Sequence, residues 1–363
     1  MFQKLKNIYH LFQAILANIF YGFPSRKLKV IGVTGTDGKT TTTHLIAHIL
    51  KTAGKKVSFV SSIFASIGGQ ESDIGFHVTT PSSFALQRLL KQSAENHDEY
   101  FVLETTSHAL DQNRVWGINY EVGIITNITH EHLDYHKNYE EYSKTKLKLL
   151  EIAKVGIKNT DKIANIVNQI PNLTLFNKSN YSSAYMVCKQ LGISDQEILK
   201  SMKTFELPKG RLDLVYDKYF KVIIDFAHTP NALLQLLPAV RKLFLKKGGR
   251  LIHVFGSAGL RDFTKRPLMG EASAKYSDII FLTEEDYRTE DLKKICEEIG
   301  LGVKNKDYKI IVDRQEAINQ AIKIAKTGDV VVLTGKAHEK SLCRGKTEEP
   351  WDEYEAVEKA LKL

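Results

Sequence analysis

A strand, a glycine-rich loop and a helix follow one another over residues 30–50, and this segment constrains the fold more than any other. The apolar run Val30–Val33 leads into the loop 34–41, TGTDGKTT, and a helix-like segment follows. Glycines let backbone N–H groups approach phosphate oxygens, and the following helix presents its positive end to them. The loop lysine would reach the outer phosphates, and the threonine after it offers a hydroxyl to Mg²⁺. We therefore predict nucleotide binding here, the alternative being a glycine-rich turn without a ligand.

The bulk composition describes an ordinary globular chain that is long enough for two domains. Its 363 residues are 43% hydrophobic and 26% charged, with a net charge of +9. This charge would suit nucleic acid, a membrane surface or an anionic small substrate. Because no Lys/Arg-rich run or aromatic-basic stripe concentrates the charge, we predict no nucleic-acid partner. Three scattered cysteines form neither a disulfide framework nor a zinc spacing, which indicates a reducing, cytoplasmic compartment.

The N-terminal segment is unusually apolar. Residues 8–23 are short for a membrane span and are interrupted by polar side chains. The sequence Pro-Ser-Arg-Lys follows at 24–27, where a signal peptide would need a small-residue cleavage site. We predict that residues 1–28 form a helical segment that packs on the protein itself or on a partner. The alternative is an interfacial helix at the inner membrane face, flanked by basic residues.

Apolar strand-like runs alternate with helix-length segments along the whole chain, which favours an α/β fold with parallel sheets. The early strands are predicted at 28–33, 57–60, 100–103 and 122–125, and helices at 39–53, 83–95, 138–153 and 179–203.

The pattern breaks around Leu207–Arg211, so we place a boundary between a central domain, 29–208, and a C-terminal domain, 209–363. Four apolar runs of the latter end in polar loops, at 222–230, 251–259, 278–286 and 330–339. Ligands of open α/β sheets bind outside the carboxyl ends of strands, so these loops predict a site.

Two further segments carry polar groups near the glycine-rich loop. A predicted strand ends on Glu104, whose carboxylate is placed to hold Mg²⁺ on nucleotide phosphates, or is a surface acid or helix cap. His130, His132 and His136 lie within seven residues. This composition suggests zinc, but no recognised zinc spacing is present. We favour one histidine that serves a Mg²⁺–phosphate site.

These segments together resemble the Mur ligase family, the ATP-dependent ligases that build the peptidoglycan stem peptide. GTDGKTT is similar to the family's GTNGKTT, and ETTSHALDQNRV to the E-x-S-S-H-x-L-x-x-x-R-V segment of the UDP-N-acetylmuramoyl-tripeptide synthetase branch. TNITHEHLDYHKNYEEYSKTK, VIIDFAHTPNAL, FGSAGLRDFTKRPLMG and LTGKAHE resemble further motifs of that branch, so the likeness spans roughly residues 29–355. It implies a central P-loop domain followed by a Rossmann-like α/β domain, with the active site in the cleft between them.

The resemblance implies a reaction in which ATP phosphorylates the C-terminal carboxylate of a UDP-muramoyl dipeptide. The amine of an amino acid then attacks this acyl phosphate, and ADP and phosphate are released. Such chemistry needs orientation and cations that face developing negative charge, with little covalent participation by protein groups. ATP and Mg²⁺ are thus the implied cofactors, and UDP-N-acetylmuramoyl-L-Ala-D-Glu and a diamino acid are the implied substrates.

The resemblance also implies roles for individual residues. Those matching the ATP-phosphate site are Gly35, Thr36, Asp37, Gly38, Lys39, Thr40 and Thr41. Those of the Mg²⁺ site are Thr40, Glu104, His132 and Lys146, of which the lysine is carbamylated in the family. Those matching dipeptide contacts are Thr79, Thr80, Thr106, Gln112 and Arg114. In the C-terminal domain, Asp225 and His228 match residues near the nucleotide, and Arg261, Glu285, Asp286, Arg288, Gly335 and Glu339 match the amino-acid pocket.

The predicted catalytic residues within this set are Lys39, Glu104, His132, Lys146 and His228. Two assignments have alternatives in which the residues play no part in a site. Lys146 would also make sense as a solvated helix lysine, with Lys144 and Lys148 as neighbours that a one-turn alignment error would confuse with it. Asp225 and His228 would also make sense as polar groups satisfied within a core.

The chain departs from the family pattern in three places. No counterpart of the family's N-terminal UDP-binding domain precedes the P-loop strand, and the central domain looks short between Leu150 and Asn177. UDP recognition would then rest on a partner, on the remaining contacts or on a different donor. Residues 285–288 read EDYR where enzymes adding meso-diaminopimelate carry DNPR. The retained Arg288 suits a distal carboxylate, so we favour meso-diaminopimelate over lysine or another diamino acid.

Two other functions stay open at this point. One is a Mur-like ligase that acts on a non-UDP carboxylate donor, such as a γ-glutamyl or folate-type chain. The other is a weakly catalytic, ATP-binding subunit whose N-terminal helix docks a partner. The retention of Lys39, Glu104, His132, Lys146 and Arg261 together argues against the second alternative.

Overall fold

The structure is a computed structural model that describes residues 2–75, 78–129, 133–159, 165–171 and 173–363. The chain divides into two compact units between Glu206 and Leu207. The first consists mainly of residues 2–129 and 136–206, and the second mainly of Leu207–Leu363. Each unit is built around its own sheet.

A seven-stranded sheet forms the centre of the first unit. Its strands are β1 (Lys29–Thr34), β2 (Val57–Val60), β3 (Ala65–Ile67), β4 (Gln70–Ser72), β5 (Tyr100–Glu104), β6 (Tyr120–Ile125) and β7 (Val155–Lys158). In the order β4-β3-β2-β5-β1-β6-β7, all neighbours are parallel except the β2–β3 and β3–β4 pairs. The strand before the glycine-rich loop, β1, is therefore central, and the loop leaves the carboxyl edge of the sheet between β5 and β6.

Helices cover both faces of this sheet. Between residues 2 and 206 the chain forms α1 (Phe2–Tyr21), α2 (Lys39–Thr52), α3 (Ser83–Glu95), α4 (Ser107–Asp111), α5 (Leu133–His136), α6 (Tyr139–Ile152), α7 (Leu175–Gln190) and α8 (Asp195–Lys203), with 3₁₀ turns at Pro24–Lys27 and Asn165–Gln169. Successive strand residues point to opposite faces. Accordingly Ile31 and Val33 join the core cluster with α2, α7 and α8, whereas Val30 joins the cluster with α3 and α6.

The single helix predicted over 179–203 is wrong. The structure has two helices, because α7 ends at Gln190 and Gly192 follows with φ +84°. A left-handed glycine terminates a helix readily. Ser194 then starts α8 through a capping box, in which its hydroxyl accepts from Glu197 N and the Glu197 carboxylate accepts from Ser194 N. The local cap chemistry breaks a segment that is apolar enough for one helix.

The N-terminal helix α1 packs on the first unit through small and polar residues. Ala14, Ala17 and Asn18 are fully buried. The Asn18 side-chain amide donates to Trp116 O at 2.8 Å and to Ala14 O at 2.9 Å. Among the residues that the structure describes, no helix is both long enough and apolar enough to span a membrane.

A six-stranded sheet of order β12-β11-β10-β13-β9-β8 forms the second unit. Its strands are β8 (Asp213–Asp217), β9 (Lys221–Asp225), β10 (Leu251–Phe255), β11 (Ile279–Leu282), β12 (Tyr308–Ile310) and β13 (Val330–Thr334), beside the hairpin β14 (Ser341–Arg344) and β15 (Thr347–Pro350). Its helices are α9 (Pro230–Phe244), α10 (Lys265–Tyr276), α11 (Leu292–Gly300), α12 (Arg314–Lys323) and α13 (Glu353–Ala360). Only β8 runs antiparallel to its neighbour in this sheet. The predicted α/β class with largely parallel sheets is confirmed.

Candidate functional site

The glycine-rich loop of the first unit forms a tight cradle, in which neither of its two glycines has room for a side chain. Gly35 has φ +154° and Gly38 has φ +79°, the left-handed side of the backbone map that glycine tolerates. A Cβ atom on Gly35 would collide with Thr126 Oγ1, and one on Gly38 with Asn180 Oδ1. The two glycines thus let the loop backbone pack directly against polar side chains, just before the N-terminus of α2.

Polar groups after β6 and on α6 hold this loop in place. Asp37 N donates to Asn127 Oδ1 at 2.9 Å, and Thr126 Oγ1 donates to Asp37 O at 2.7 Å. The Thr36 and Tyr142 hydroxyls are 3.0 Å apart. The sequence interpretation did not assign Thr126, Asn127 or Tyr142 to the site. All three lie within the motif TNITHEHLDYHKNYEEYSKTK, and the first two directly follow a strand that neighbours β1.

Two lysine ammonium groups converge on consecutive carbonyls of the loop. Lys39 Nζ donates to Thr36 O at 2.9 Å, and Lys146 Nζ donates to Gly35 O at 2.7 Å. Lys146 is only 2% exposed and lies 4.6 Å from the centre of the Tyr142 ring, so it is not a solvated helix lysine. The cradle therefore concentrates positive charge where phosphate oxygens would lie.

An acidic group and two hydroxyls meet beside the start of α2. Glu104 ends β5 and is 1% exposed, so it is not a surface acid. Its Oε1 accepts from Thr40 Oγ1 at 3.2 Å and its Oε2 accepts from Ser62 N at 2.9 Å. The Thr40 and Ser62 hydroxyls are 2.9 Å apart. Hydroxyl and carboxylate oxygens suit Mg²⁺, which keeps several waters and phosphate oxygens as its other ligands. Ser62, which follows β2, was missed by the sequence interpretation.

The histidine-rich segment is only partly described. His130 and His132 lie outside the described residues, so the Mg²⁺ role predicted for His132 stays a prediction. His136 is buried with its Nε2 3.0 Å from Ser107 Oγ, and burial lowers its pKa to about 4. Within the described ranges, no three His, Cys, Asp or Glu side chains cluster as metal ligands would. His136 is thus a neutral, buried histidine at physiological pH.

Three of the residues predicted to contact the dipeptide form one hydrogen-bonded group. Thr80 Oγ1 donates to Glu104 O at 2.9 Å and accepts from Thr106 N at 3.0 Å. Arg114 Nη1 donates to Thr80 O at 2.5 Å. Thr79 precedes this group and Gln112 follows α4; both are partly exposed. The group is therefore joined through the backbone of β5 to the carboxylate beside the loop.

In the second unit, Asp225 and His228 follow β9. The Asp225 carboxylate is buried and accepts from Leu212 N and Ala227 N, each at 2.7 Å. Burial raises the pKa of this carboxyl above its ordinary value. His228 Nδ1–H donates to Phe226 O at 2.8 Å. Both groups thus organise the loop between β9 and α9, and the role near the nucleotide predicted for them stays a prediction.

A buried lysine joins two residues of the predicted amino-acid pocket. Lys336 is fully buried, and its Nζ lies 2.9 Å from Asp286 Oδ1 and 2.5 Å from Glu339 Oε2. Cys343 N also donates to Asp286 Oδ1 at 2.9 Å. Burial alone would lower the pKa of Lys336, but the two carboxylates raise it, so it stays charged. Lys336 lies inside the motif LTGKAHE, yet the sequence interpretation assigned only its neighbours Gly335 and Glu339.

Glu285 leaves one buried carboxylate oxygen without a hydrogen bond. It is 7% exposed, and its Oε2 has no hydrogen-bond partner among the described residues. A Cβ on Gly335, where φ is +103°, would lie 2.8 Å from this oxygen. Burial, and next the Asp286 charge, raises the pKa of Glu285 to about 7. An unsatisfied acid that titrates near neutrality is well suited to an incoming ammonium group.

Arg288 occupies a constrained position in the loop after β11. Its backbone has φ +52°, and its Nη1 donates to Gly259 O at 2.7 Å. Gly259 N in turn donates to Asp286 O at 2.8 Å, and a Cβ on Gly259 would collide with Tyr287 O. The structure thus ties Arg288 to the loop after β10, where Arg261 lies exposed. Arg288 is partly exposed, and its guanidinium has five N–H donors.

The chain is similar to known ligases over most of its length. Residues 33–213 match the Mur ligase middle domain, and residues 210–337 match the Mur ligase glutamate ligase domain. A UDP-N-acetylmuramoyl-L-alanyl-D-glutamate–2,6-diaminopimelate ligase of Aquifex aeolicus is 39% identical over 89% of this chain and 75% of its own. A UDP-N-acetylmuramyl-tripeptide synthetase of Borreliella burgdorferi is 35% identical over 96% of this chain and 80% of its own.

Solved structures show the same fold. A UDP-N-acetylmuramoyl-L-alanyl-D-glutamate–2,6-diaminopimelate ligase aligns with a TM-score of 0.57 at 27% identity over 92% of this chain and 78% of its own. Escherichia coli FolC in complex with DHPP and ADP aligns with a TM-score of 0.69 at 18% identity over 89% of each chain, a likeness of fold alone. The first unit and its loop are those of a P-loop α/β protein. The chain belongs to the Mur ligase family, as its motifs predicted, and the predicted class of ATP-dependent ligase is confirmed.

Proposed function

We propose that the chain joins a diamino acid, with meso-diaminopimelate favoured, to UDP-N-acetylmuramoyl-L-Ala-D-Glu through an acyl phosphate, in the cytoplasm. The observation that carries the proposal is the phosphate cradle with Thr40 and Glu104 at its edge, where the two side chains are 3.2 Å apart. The substrates in this proposal are those given in the names of the relatives. ATP bound in this cradle with Mg²⁺ would supply the phosphoryl group that activates the donor carboxylate.

The first unit's own residues would bind and orient the phosphates. Backbone N–H groups of the loop and the start of α2 would face phosphate oxygens, and Lys39 would move from Thr36 O to the outer phosphates. Thr40 and Glu104 would hold the metal, together with His132 as the resemblance implies. The resemblance also implies carbamylation of Lys146. Incubation with ¹³C-bicarbonate and ¹³C NMR would test that modification directly.

The second unit's residues would select the amino acid. Lys336 positions Asp286 and Glu339, and Glu285 presents an unsatisfied oxygen beside Gly335. These carboxylates suit the amine groups of a diamino acid. Arg288 would pair with its distal carboxylate, which lysine lacks. The carboxylates and Arg288 together favour a substrate with two amines and two carboxylates.

The test is ADP release by the purified chain with UDP-muramoyl-L-Ala-D-Glu and either meso-diaminopimelate, L-lysine or no amino acid. We expect stimulation that requires the dipeptide and meso-diaminopimelate together. Stimulation by L-lysine instead would overturn the amino-acid assignment. No stimulation, with ADP still bound in calorimetry, would overturn the donor and favour a non-UDP carboxylate.

A matched pair of variants tests the role of Arg288. Arg288→Lys should raise KM for meso-diaminopimelate at least roughly tenfold and leave KM for ATP unchanged, since lysine cannot bind a carboxylate bidentately. Arg241→Lys is the control, because Arg241 pairs with Asp278 at 2.7 Å on the surface of the same unit. Equal KM values in the two variants would contradict the role of Arg288.

A further inference from the structure

The N-terminal helix α1 has a second apolar face that points away from the first unit. Its exposed apolar residues are Leu5, Ile8, Tyr9, Phe12, Leu16, Ile19 and Phe20, each between 43% and 73% exposed. They recur three or four residues apart, which places them on one side of the helix. The buried residues Ala14, Ala17 and Asn18 lie on the other side. The helix is thus anchored by small residues and displays its large ones.

The neighbouring helix α3 extends this apolar face. Phe84 of α3 is 40% exposed, and its ring lies 6.5 Å from that of Phe20. Tyr9 of α1 itself is 60% exposed. Aromatic side chains with one apolar and one polar end are typical of membrane interfaces. A contiguous exposed patch of this kind marks an interaction site rather than scattered surface apolar residues.

The charge along the N-terminal segment itself has a single sign, and the acid that contacts α1 is Asp111 of α4, which accepts from the Asn7 side chain at 2.9 Å. Residues 1–36 contain five Lys or Arg and no Asp or Glu. Among the basic residues, Lys6 is exposed on α1, and Arg26 and Lys27 are exposed in the 3₁₀ turn that follows. Arg88, one turn after Phe84 on α3, is exposed as well. An apolar face bordered by cations matches the surface of an anionic bilayer, where acyl chains lie beneath negative headgroups.

We propose that this face of α1, with Phe84, docks the protein on anionic lipid bilayers as an interfacial helix. The aromatic and aliphatic side chains enter the headgroup boundary, and the flanking lysines and arginines contact lipid phosphates. A second copy of the chain is a poorer occupant, because pairing two α1 faces would bring two acid-free basic segments together. The proposal is independent of the ligase reaction.

The experiment is co-sedimentation of the full chain with vesicles of phosphatidylcholine alone or mixed with phosphatidylglycerol, at low and high salt. We expect binding to the anionic vesicles that weakens at high salt. The double variant Phe12→Glu/Ile19→Glu should bind at least roughly tenfold more weakly, since it places two carboxylates in the docking face. Leu175→Glu is the matched control, because Leu175 is 66% exposed at the first residue of α7, outside the face.

Two results would overturn the proposal. One is the absence of binding to anionic vesicles by the parent chain. The other is equal binding by the double variant and Leu175→Glu, while ADP binding and circular dichroism report that both are folded. Light scattering on the same samples identifies the rival occupant. A dimer of the parent chain that the double variant abolishes, without vesicle binding, would assign the face to a second copy.

Discussion

In the second unit, the protonation of a buried acidic side chain depends on the groups that surround it. Glu285 and Asp286 are adjacent and both buried, yet Asp286 has Lys336 at 2.9 Å whereas Glu285 Oε2 has no hydrogen bond among the described residues. Burial of a carboxylate that leaves one oxygen without a hydrogen bond favours its neutral form. For Glu285, burial raises the pKa from 4.5 to about 7. Glu285 therefore links the stability of the protein to pH.

Glu285→Gln should make unfolding less dependent on pH. The folded state keeps the Glu285 proton up to about pH 7, whereas the unfolded state releases it near 4.5. Between these two pKa values the folded state binds more protons than the unfolded state, so the free energy of unfolding falls as pH rises. Above the higher pKa the whole loss of stability, on the order of 3 kcal/mol, is present. The variant lacks this loss.

Urea unfolding at several pH values measures the effect. The gain of Glu285→Gln over the parent chain should grow between about pH 4.5 and pH 7 and then level off. Glu358→Gln, at an exposed position of α13, is the control and should follow the parent curve. A gain that is constant over this range would show that Glu285 is ionised in the folded protein.

At the scale of elements, helix α2 has a left-handed glycine at each end. Gly38 before it has φ +79° and Gly54 after it has φ +77°, so both are equally hard for alanine to adopt. Their surroundings differ. A Cβ on Gly54 would have nothing within 4 Å, whereas one on Gly38 would collide with Asn180 of α7. The packing of α7 against the loop, rather than the backbone alone, makes Gly38 necessary.

Alanine at the two glycines separates these contributions. Gly54→Ala should cost about 1 kcal/mol of stability, the conformational part alone. Gly38→Ala should cost roughly 1–3 kcal/mol more, because the added methyl group displaces Asn180. Urea unfolding gives both values. Adding Asn180→Ala to Gly38→Ala should recover the steric part only. Equal costs at Gly38 and Gly54 would contradict the packing of α7 on the loop.

At the scale of the molecule, the chain consists of two units with separate sheets and cores. The sheet of the second unit is covered on one face by α9, α10 and α11 and on the other by α12 and α13. Arg314 and Glu353, both fully buried, form a salt bridge of 2.5 Å within this unit. A unit that buries both faces of its sheet has what independent folding requires.

Residues 207–363 alone should therefore unfold cooperatively in urea, with a free energy of unfolding of about 5–15 kcal/mol. Circular dichroism measures the transition. Arg314→Met in this fragment should cost about 3–5 kcal/mol, since it leaves Glu353 buried without its partner. Arg241→Met, which removes the surface pair with Asp278, should cost at most about 1 kcal/mol. A fragment without a cooperative transition would show that the second unit depends on the first.

Local sequence was sufficient for the α/β class, the strand before the glycine-rich loop, and the family. These features depend on the spacing of apolar residues and on motifs read within a few neighbouring residues. It was also sufficient to single out Glu104, because a polar residue at a strand end is visible without the fold. It was not sufficient for the break between α7 and α8, where one glycine and one cap outweigh the apolar pattern.

Ser62 and Asn180 could not be recognised from their own segments, and the contacts of Asn127 and Lys336 could not be predicted from the motifs that contain them. Each of these residues reaches a distant partner only because parallel strands bring distant carboxyl ends to one edge, or because a helix packs there. Ser62 meets Glu104 since β2 and β5 are neighbours, and Asn127 meets Asp37 since β6 lies beside β1. Lys336 is buried between Glu339 of its own loop and Asp286 of the loop after β11, and only the fold brings Asp286 there. Burial and long-range pairing, which set these charges and contacts, exist only in the folded chain.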